Sequence, residues 1–378
     1  MMRTLFWGAA SLVTYTYVGF PTLVLARGAL RPRLHRQSAI TPSVSVVIAA
    51  HNEAAVIAAK LDNLLHLDYP PGCLEVIVAS DGSEDGTVAQ ARASGDARVE
   101  VLELTRLGKA GALNAAACRA RGAVLVFTDA NSMLAHDALR TLVAPMADGR
   151  VGGVAGDQRY QDGAGAASGE RGYWNFDRLL KRAESRGGNV ISATGALYAV
   201  RRELFQPVPD GVTDDFAVST SVICQGQRLV FAAGAVAYEP VGASSDAEFA
   251  RKVRIMTRGL NAVLLRRELL NPRRHGFYAI QLLSHKLLRR LMAPPLIVLG
   301  ATGASLARRG TVYRAVAGAE GAVLCLGAAG VMLERRRPVG RLLALPAYFC
   351  MVNLASLKAA ANVLRGCRVE RWEPRREP

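Results

Sequence analysis

From Ser43 the chain alternates continuous apolar runs with stretches of helical spacing. "VSVVIAA" (Val44–Ala50) is apolar and β-branched throughout, the pattern of a parallel strand covered on both faces. "HNEAAVIAAKLDNLLHL" follows with apolar residues every three to four positions, so a helix is predicted there. "EVIVASDGSEDGT" (Glu75–Thr87) predicts a second strand closing on a turn, "DGTVAQARASG" its helix, and "VEVLEL" (Val99–Leu104) a third strand. A glycine-led, alanine-rich helix, "GKAGALNAAACRARG" (Gly108–Gly122), precedes the strand of "AVLVFTDANSM". This alternation predicts an α/β fold, a doubly wound mixed sheet with helices on both faces. Ligands of such sheets bind beyond the carboxyl ends of the strands, where His51–Glu53, Asp81 and Asp129–Asn131 fall.

After Ala135 the pattern loosens. "VGGVAGDQRY" predicts a strand, "GAGAASGERG" a small-residue loop and "YWNFDRLLKRAESRGG" an amphipathic helix. "ISATGALYAVRRELF" predicts a strand running into a helix, and "GVTDDFAVSTSVICQG" a turn opening a helix before "RLVFAAGAVAYE". Asp246 to Arg290 is basic and helical.

Four apolar stretches predict membrane spans: Leu5–Ala26, Leu291–Ala307, Ala315–Leu333 (with Glu320 inside) and Leu342–Leu364 (with Lys358 inside). The first has one arginine before it and Arg27, Arg31, Arg33 and Arg36 after it. That asymmetry puts its C-terminal end in the cytoplasm, the reverse of a cleaved secretory signal. The expected organisation is an anchor over 1–40, a cytosolic catalytic domain over 41–245, basic interfacial helices over 246–290, membrane segments over 291–364 and a basic tail over 365–378. Three spans after the catalytic domain would set that tail outside, against its own arginines, which points to one re-entrant or interfacial segment.

Charge sharpens this division. The formal net charge is +16, yet residues 1–245 carry 23 basic and 23 acidic side chains, whereas 246–378 carry 24 and 8. Excess lysine and arginine beside apolar spans suits anionic lipid headgroups rather than nucleic acid, which is not expected as a partner. The six cysteines show no ligand-like spacing and read as reduced thiols of a cytosol-facing protein.

The chemistry lies in the acids. Asp129 ends a buried strand and Asn131 stands two residues on, so both can face one way. A carboxylate with a nearby oxygen ligand, completed by water and phosphate, is how Mg2+ or Mn2+ is held on a nucleotide diphosphate. The bland alternative is that Asn131 caps the next helix and Asp129 pairs with an arginine. "SDGS" is good turn chemistry with or without a ligand for Asp81. In "VTDDF", Thr213 is a plausible N-cap and acids in a first helical turn are favoured by the macrodipole. Adjacent helical residues do not face the same way, so one of Asp214 and Asp215 should enter a site and the other fasten the helix.

In order, "VSVVIAAHNE", "VIVASDGSEDGT", "GKAGALN", "VFTDANS", "GALYAVRRELF" and "TDDF" resemble the family 2 glycosyltransferases of GT-A fold. The likeness is to the membrane-embedded branch that includes the synthases of cellulose, hyaluronan and poly-N-acetylglucosamine, and it covers about residues 40–300. It implies an inverting, metal-dependent transfer from a nucleotide-diphosphate sugar, UDP-linked, to a growing polysaccharide or oligosaccharide. Asp81 would bind the uracil–ribose end with Glu53 lining the pocket, and Lys109 and Asn114 would sit near the nucleotide and diphosphate. Asp129 and Asn131 fill the metal motif, usually Asp-x-Asp, for Mg2+ or Mn2+. Thr213-Asp214-Asp215 stands for the family's Thr-Glu-Asp, which assigns the general base to Asp215. "TGAL", with Gly195 and Ala196, and Trp174 fall where acceptor contacts are expected, although a tryptophan on an amphipathic helix is commonly core. The Gln-x-x-Arg-Trp motif of polymerising members is only partly matched. Arg258 stands for its arginine, with a diphosphate contact implied, but Ile255 replaces the glutamine and Gly259 the tryptophan. The sugar-stacking plate is thus missing, which counts against processive polymerisation; the alternative is single transfer to a lipid or lipid-linked acceptor. A sugar-nucleotide pyrophosphorylase would need a basic, Gly-rich loop after the first strand, which "AAHNEAAV" does not offer. A transporter or scaffold with a dead nucleotide domain would be expected to have lost the carboxylates.

Overall fold

The chain opens with α1 (Met2–Thr14) and α2 (Phe20–Leu30), joined through a π-helical turn, Tyr15–Gly19, into one apolar helix of 29 residues. From Val44 the predicted alternation follows: β1 (Val44–Ala50), α3 (Ala54–Leu65), β2 (Leu74–Asp81), α4 (Thr87–Arg92), β3 (Val99–Leu104), α5 (Gly108–Arg119) and β4 (Val124–Phe127). Then come β5 (Met133–Leu134), α6 (Ala138–Val143), β6 (Val151–Tyr160), α7 (Ser168–Gly187), β7 (Tyr198–Arg201), α8 (Asp214–Cys224), β8 (Arg228–Glu239) and α9 (Ser245–Leu265). Short helices α10 (Pro272–His275) and α11 (Phe277–Gln281) lead to α12 (Ala293–Leu306), α13 (Thr311–Glu334) and α14 (Arg341–Leu364). This computed structural model describes residues 1–160, 168–239, 245–334 and 340–367.

The described residues divide into two compact units. Arg27–Asp162 and Lys181–Val241 make the first, built on one eight-stranded mixed sheet of order β3-β2-β1-β4-β7-β6-β8-β5. β1 is buried along its whole length because parallel β2 and β4 flank it, with α3 and α5 packed on the sheet. That double cover explains its unbroken apolar sequence. β7 runs antiparallel to β4, pairing Tyr198 with Phe127, and so starts at the edge where β1, β2 and β4 end. The strand predicted in "VGGVAGDQRY" is β6, and the one predicted in "ISATGALYAVRRELF" is the four-residue β7, followed by a 3-10 turn (Arg202–Leu204) instead of an α-helix. β5 and α6 had no counterpart in the pattern. Of the small-residue loop predicted over 163–172, residues 163–167 lie outside the described residues, and 168–172 are helical instead, forming the start of α7.

The second unit holds Met1–Ala26, Gly163–Leu180 and Gly242–Arg368. Three of its helices, Met2–Leu30, Thr311–Leu333 and Leu342–Leu364, are long and apolar enough to cross a membrane. A fourth candidate is the pair Phe277–Leu291 and Ala293–Arg309, bent by 58° as a broken span or re-entrant loop would be. α1 packs on α12 through Phe6, Ala9, Leu299 and Leu306, with Tyr313 edge-on to Phe6.

Candidate active site

The site is assembled at the shared edge of β1, β2, β4 and β7, all within the first unit. Asp81, the last residue of β2, is fully buried. Its Oδ1 accepts the backbone N–H groups of Leu107 (2.6 Å) and Gly108 (2.9 Å), donors left open at the start of α5. Gly82 makes this approach possible: its φ is +60°, and a Cβ there would lie 3.1 Å from the Arg106 nitrogen. Asp81 Oδ2 is buried without a hydrogen-bond partner among the described residues, with Arg106 Nε 3.7 Å away. His51 reaches the Asp81 carbonyl through Nδ1 at 2.7 Å and also contacts Arg106. Glu53, buried, follows Asn52, whose φ of 53° turns the chain sharply after β1. Thr87 Oγ1 accepts the Glu53 N–H at 2.8 Å and Asp85 accepts that of Ala54 at 3.1 Å, tying this loop to "SDGSEDGT".

The same α5 terminus carries Lys109 into the second half of the site. Its ammonium lies 2.8 Å from Asp129 Oδ1 and 3.2 Å from Asp214 Oδ1. Burial alone would lower the Lys109 pKa, but Asp129, Asp214 and Asp215 outweigh it and hold the group above the ordinary lysine value. Tyr198, buried at the start of β7, feels the same cluster; burial, then Asp214, Asp215 and Asp129, push its phenol well above its usual value. Gly195 gives Asp129 its room, since a Cβ there would stand 3.0 Å from Asp129 Oδ2. Asp214 and Asp215 open α8, where the N-terminal dipole favours them. Asp215 Oδ1 accepts its neighbour's N–H, from Phe216, at 2.8 Å. Thr213 occupies the N-cap position but makes no side-chain cap bond; its carbonyl accepts from Ala217 instead.

Asn131 lies half-buried in the turn after Asp129, whose carbonyl accepts the Ser132 N–H at 3.2 Å. It caps no helix, because β5 follows and α6 starts only at Ala138, with Asp137 as its N-cap. Asn114 gives both ends of its amide to Val208, at 3.0 and 2.8 Å, and so ties α5 to the segment before α8. The Ala196 carbonyl accepts from Thr128 Oγ1 at 2.7 Å. Arg258 lies on α9 in the second unit. Trp174 falls on α7, and its side chain is outside the described residues. Sequence reasoning did not single out Arg106, Tyr198 or Lys60. Lys60 left a signal: it interrupts the stripe Ile57, Leu61, Leu64 on the buried face of α3.

Among the described residues no three His, Cys, Asp or Glu side chains gather as a complete metal shell. The ammonium of Lys109 between Asp129 and Asp214 shows that this spot favours a cation.

Residues 45–208 match glycosyl transferase family 2. They form a family 2 glycosyltransferase domain. Curated relatives of this domain include a beta-monoglucosyldiacylglycerol synthase of Nostoc sp., 37% identical over 133 residues, which are 33% of this chain and 28% of that protein. A poly-beta-1,6-N-acetyl-D-glucosamine synthase of Staphylococcus epidermidis is 26% identical over 186 residues, covering 47% of this chain and 44% of that one. The chain thus spans less than half the length of these two relatives. Beyond the domain itself, the fold extends to a mannosyltransferase of Pyrobaculum calidifontis, PcManGT, in complex with GDP-Man and Mn2+. It aligns with a TM-score of 0.72 and 25% identity over 96% of this chain and 99% of that chain.

Proposed function

We propose that this glycosyltransferase moves a sugar, with inversion, from a nucleotide-diphosphate sugar, UDP-linked by its resemblance, to a growing polysaccharide or oligosaccharide at the cytoplasmic face of the cell membrane. One observation carries the reading. The first turn of α5 touches acids from three distant parts of the chain, Asp81 through its backbone and Asp129 and Asp214 through Lys109. The unpartnered oxygen of Asp81 suits an N–H of a base or a ribose hydroxyl, once Arg106 moves aside, and Glu53 lines the same end. Asp129 and Asn131 would hold Mg2+ or Mn2+, which supplies positive charge for the departing diphosphate. The PcManGT complex, solved with a nucleotide sugar and Mn2+, supports both assignments.

Asp215 acts as the base, taking the proton of the acceptor hydroxyl as that oxygen attacks the anomeric carbon opposite the diphosphate. The bond to the diphosphate breaks and its electron pair leaves with the nucleotide. A single displacement without an enzyme nucleophile inverts the anomer. Lys109 lends its positive charge to the diphosphate end, and Asp214 fastens α8 beside it. Asp215→Asn should lower turnover about 10²–10⁴-fold, the range of a positioned proton transfer, with nucleotide affinity nearly unchanged. Retention of a tenth of the rate in that variant would remove Asp215 from the role.

A second reading, single transfer to a lipid or lipid-linked acceptor, draws support from Gly259. The space a side chain would take there is filled by Arg290, whose Nη2 would lie 2.8 Å from a Cβ. Glycine supplies no aromatic plate at that position, and the Arg290 guanidinium lies where one would start. Purified protein in nanodiscs, given a panel of UDP- and GDP-sugars with Mg2+ or Mn2+, separates the two by nucleotide release and product mass. A product ladder means extension, and one mass increment means single transfer.

A further inference from the structure

Two polar side chains of α3, buried Lys60 and half-buried Asn63, take no part in the reaction above, yet both bond to the stretch 128–134 that includes Asp129 and Asn131. Lys60 is fully buried. Its Nζ donates to Thr128 Oγ1 at 3.0 Å and to the Ser132 carbonyl. Asn63, one turn further on, pairs with the backbone of Leu134, donating to its carbonyl at 2.9 Å and accepting its N–H at 2.8 Å. From the other side, Thr128 donates to the Ala196 carbonyl, and Ser132 Oγ donates to Glu239 Oε1 at 2.9 Å. Glu239 Oε2 is in turn held by Gln158 Nε2 at 2.5 Å. The segment is therefore gripped at positions 128, 132 and 134, and Asp129 and Asn131 lie between the first two grips.

A core lysine is an expensive way to fill space, because burial opposes its charge. Here burial pulls the Lys60 pKa down to about 7, with Asp129 and Glu239 drawing it back up. A leucine or methionine would pack the helix more cheaply but would leave the Ser132 carbonyl without its donor, and the turn would lose an anchor. We infer that Lys60 and Asn63 are positioning residues that fix the Asp129–Ser132 turn, so that Asp129 and Asn131 present their side-chain oxygens together to the divalent cation. This rests on the proposed reading of that pair as the metal ligands.

The test is a Mn2+ titration followed by electron paramagnetic resonance at saturating UDP, and in parallel GDP, on wild type, Asn63→Ala, Lys60→Met and Asp129→Ala. Thermal unfolding and nucleotide binding in EDTA accompany it. Asn63→Ala and Lys60→Met, folded at the assay temperature, should raise the Mn2+ Kd at least tenfold while metal-free nucleotide binding changes less than twofold. Wild-type Mn2+ affinity in a folded variant of lowered Tm would make the grip purely structural and overturn the inference, with the metal reading intact. Should Lys60→Met not fold, Asn63→Ala decides alone. Failure of wild type to bind Mn2+, or no weakening in Asp129→Ala, would overturn the ligand assignment and the inference with it.

Discussion

Asp81 gives one carboxylate oxygen to two backbone N–H groups, whereas the other has no hydrogen-bond partner among the described residues and faces only the Arg106 guanidinium, at 3.7 Å. Only the second oxygen is open to a ligand, so the two halves of the side chain separate by mutation. Asp81→Asn should weaken nucleotide binding about 10–100-fold, the scale of a charge-assisted hydrogen bond, with a smaller effect on turnover at saturating donor; calorimetric titration with UDP and GDP measures it. Gly195→Ala tests a different contact. Its methyl group would press on Asp129 Oδ2 from 3.0 Å, so turnover should fall at least tenfold while Tm moves little. Unchanged kinetics would show that the carboxylate yields freely. Asp81 and Asp129 were legible in the sequence because they sit where apolar runs stop, whereas Gly195 was marked only by the family resemblance of "TGAL". Lys60 was not, since a lysine in a helix ordinarily reads as solvated, and only its place in the stripe Ile57-Lys60-Leu61-Leu64 marked it as buried. Arg106 was hidden for another reason: it acts across a turn, on a residue 25 positions earlier, and no local pattern encodes that contact.

At the scale of elements, α5 organises the site. Its first turn serves Asp81, Asp129 and Asp214, and its middle is anchored by Asn114 to the backbone of Val208. Asn114→Ala removes both of those bonds and leaves two peptide groups unpaired, at a cost of about 1–3 kcal/mol. A Tm lower by about 2–4 °C per kcal/mol is expected, together with reduced turnover, because the segment tied by Val208 runs into α8. A variant with wild-type Tm would show that the segment is held by other contacts. β1, β2 and α3 were readable because parallel strands covered on both faces must be apolar throughout and an amphipathic helix must repeat. β5 and α6 were not. A two-residue strand is too short to show alternation, and its place is fixed by pairing with β8 about a hundred residues later. The helix predicted after "TGALYAV" became a single 3-10 turn.

Across the whole molecule, charge and hydropathy divide the labour. The sheet-bearing unit holds the acids of the site, whereas the net positive charge belongs to the last 133 residues, beside the apolar helices. In the second unit Arg267, Arg273 and Arg274 are exposed, as are Leu264 and Leu265 a few residues earlier, at 54% and 50%. Apolar side chains beside cations are the composition of a surface that meets anionic headgroups, where each arginine is worth about 1 kcal/mol. Protein in nanodiscs of phosphatidylglycerol should therefore unfold at a higher temperature than in phosphatidylcholine, and high salt should close the gap by screening. The variant Arg267→Gln/Arg273→Gln/Arg274→Gln should lose most of that difference while retaining its phosphatidylcholine Tm, since these exposed side chains lie outside the packed interior. An undiminished lipid effect in the triple variant would mean that other cations of the chain make the contact. The bent pair Phe277–Leu291 and Ala293–Arg309 follows directly on these arginines. If that pair enters a bilayer, as a broken span or as a re-entrant loop, holding these arginines at the headgroups would set its level there.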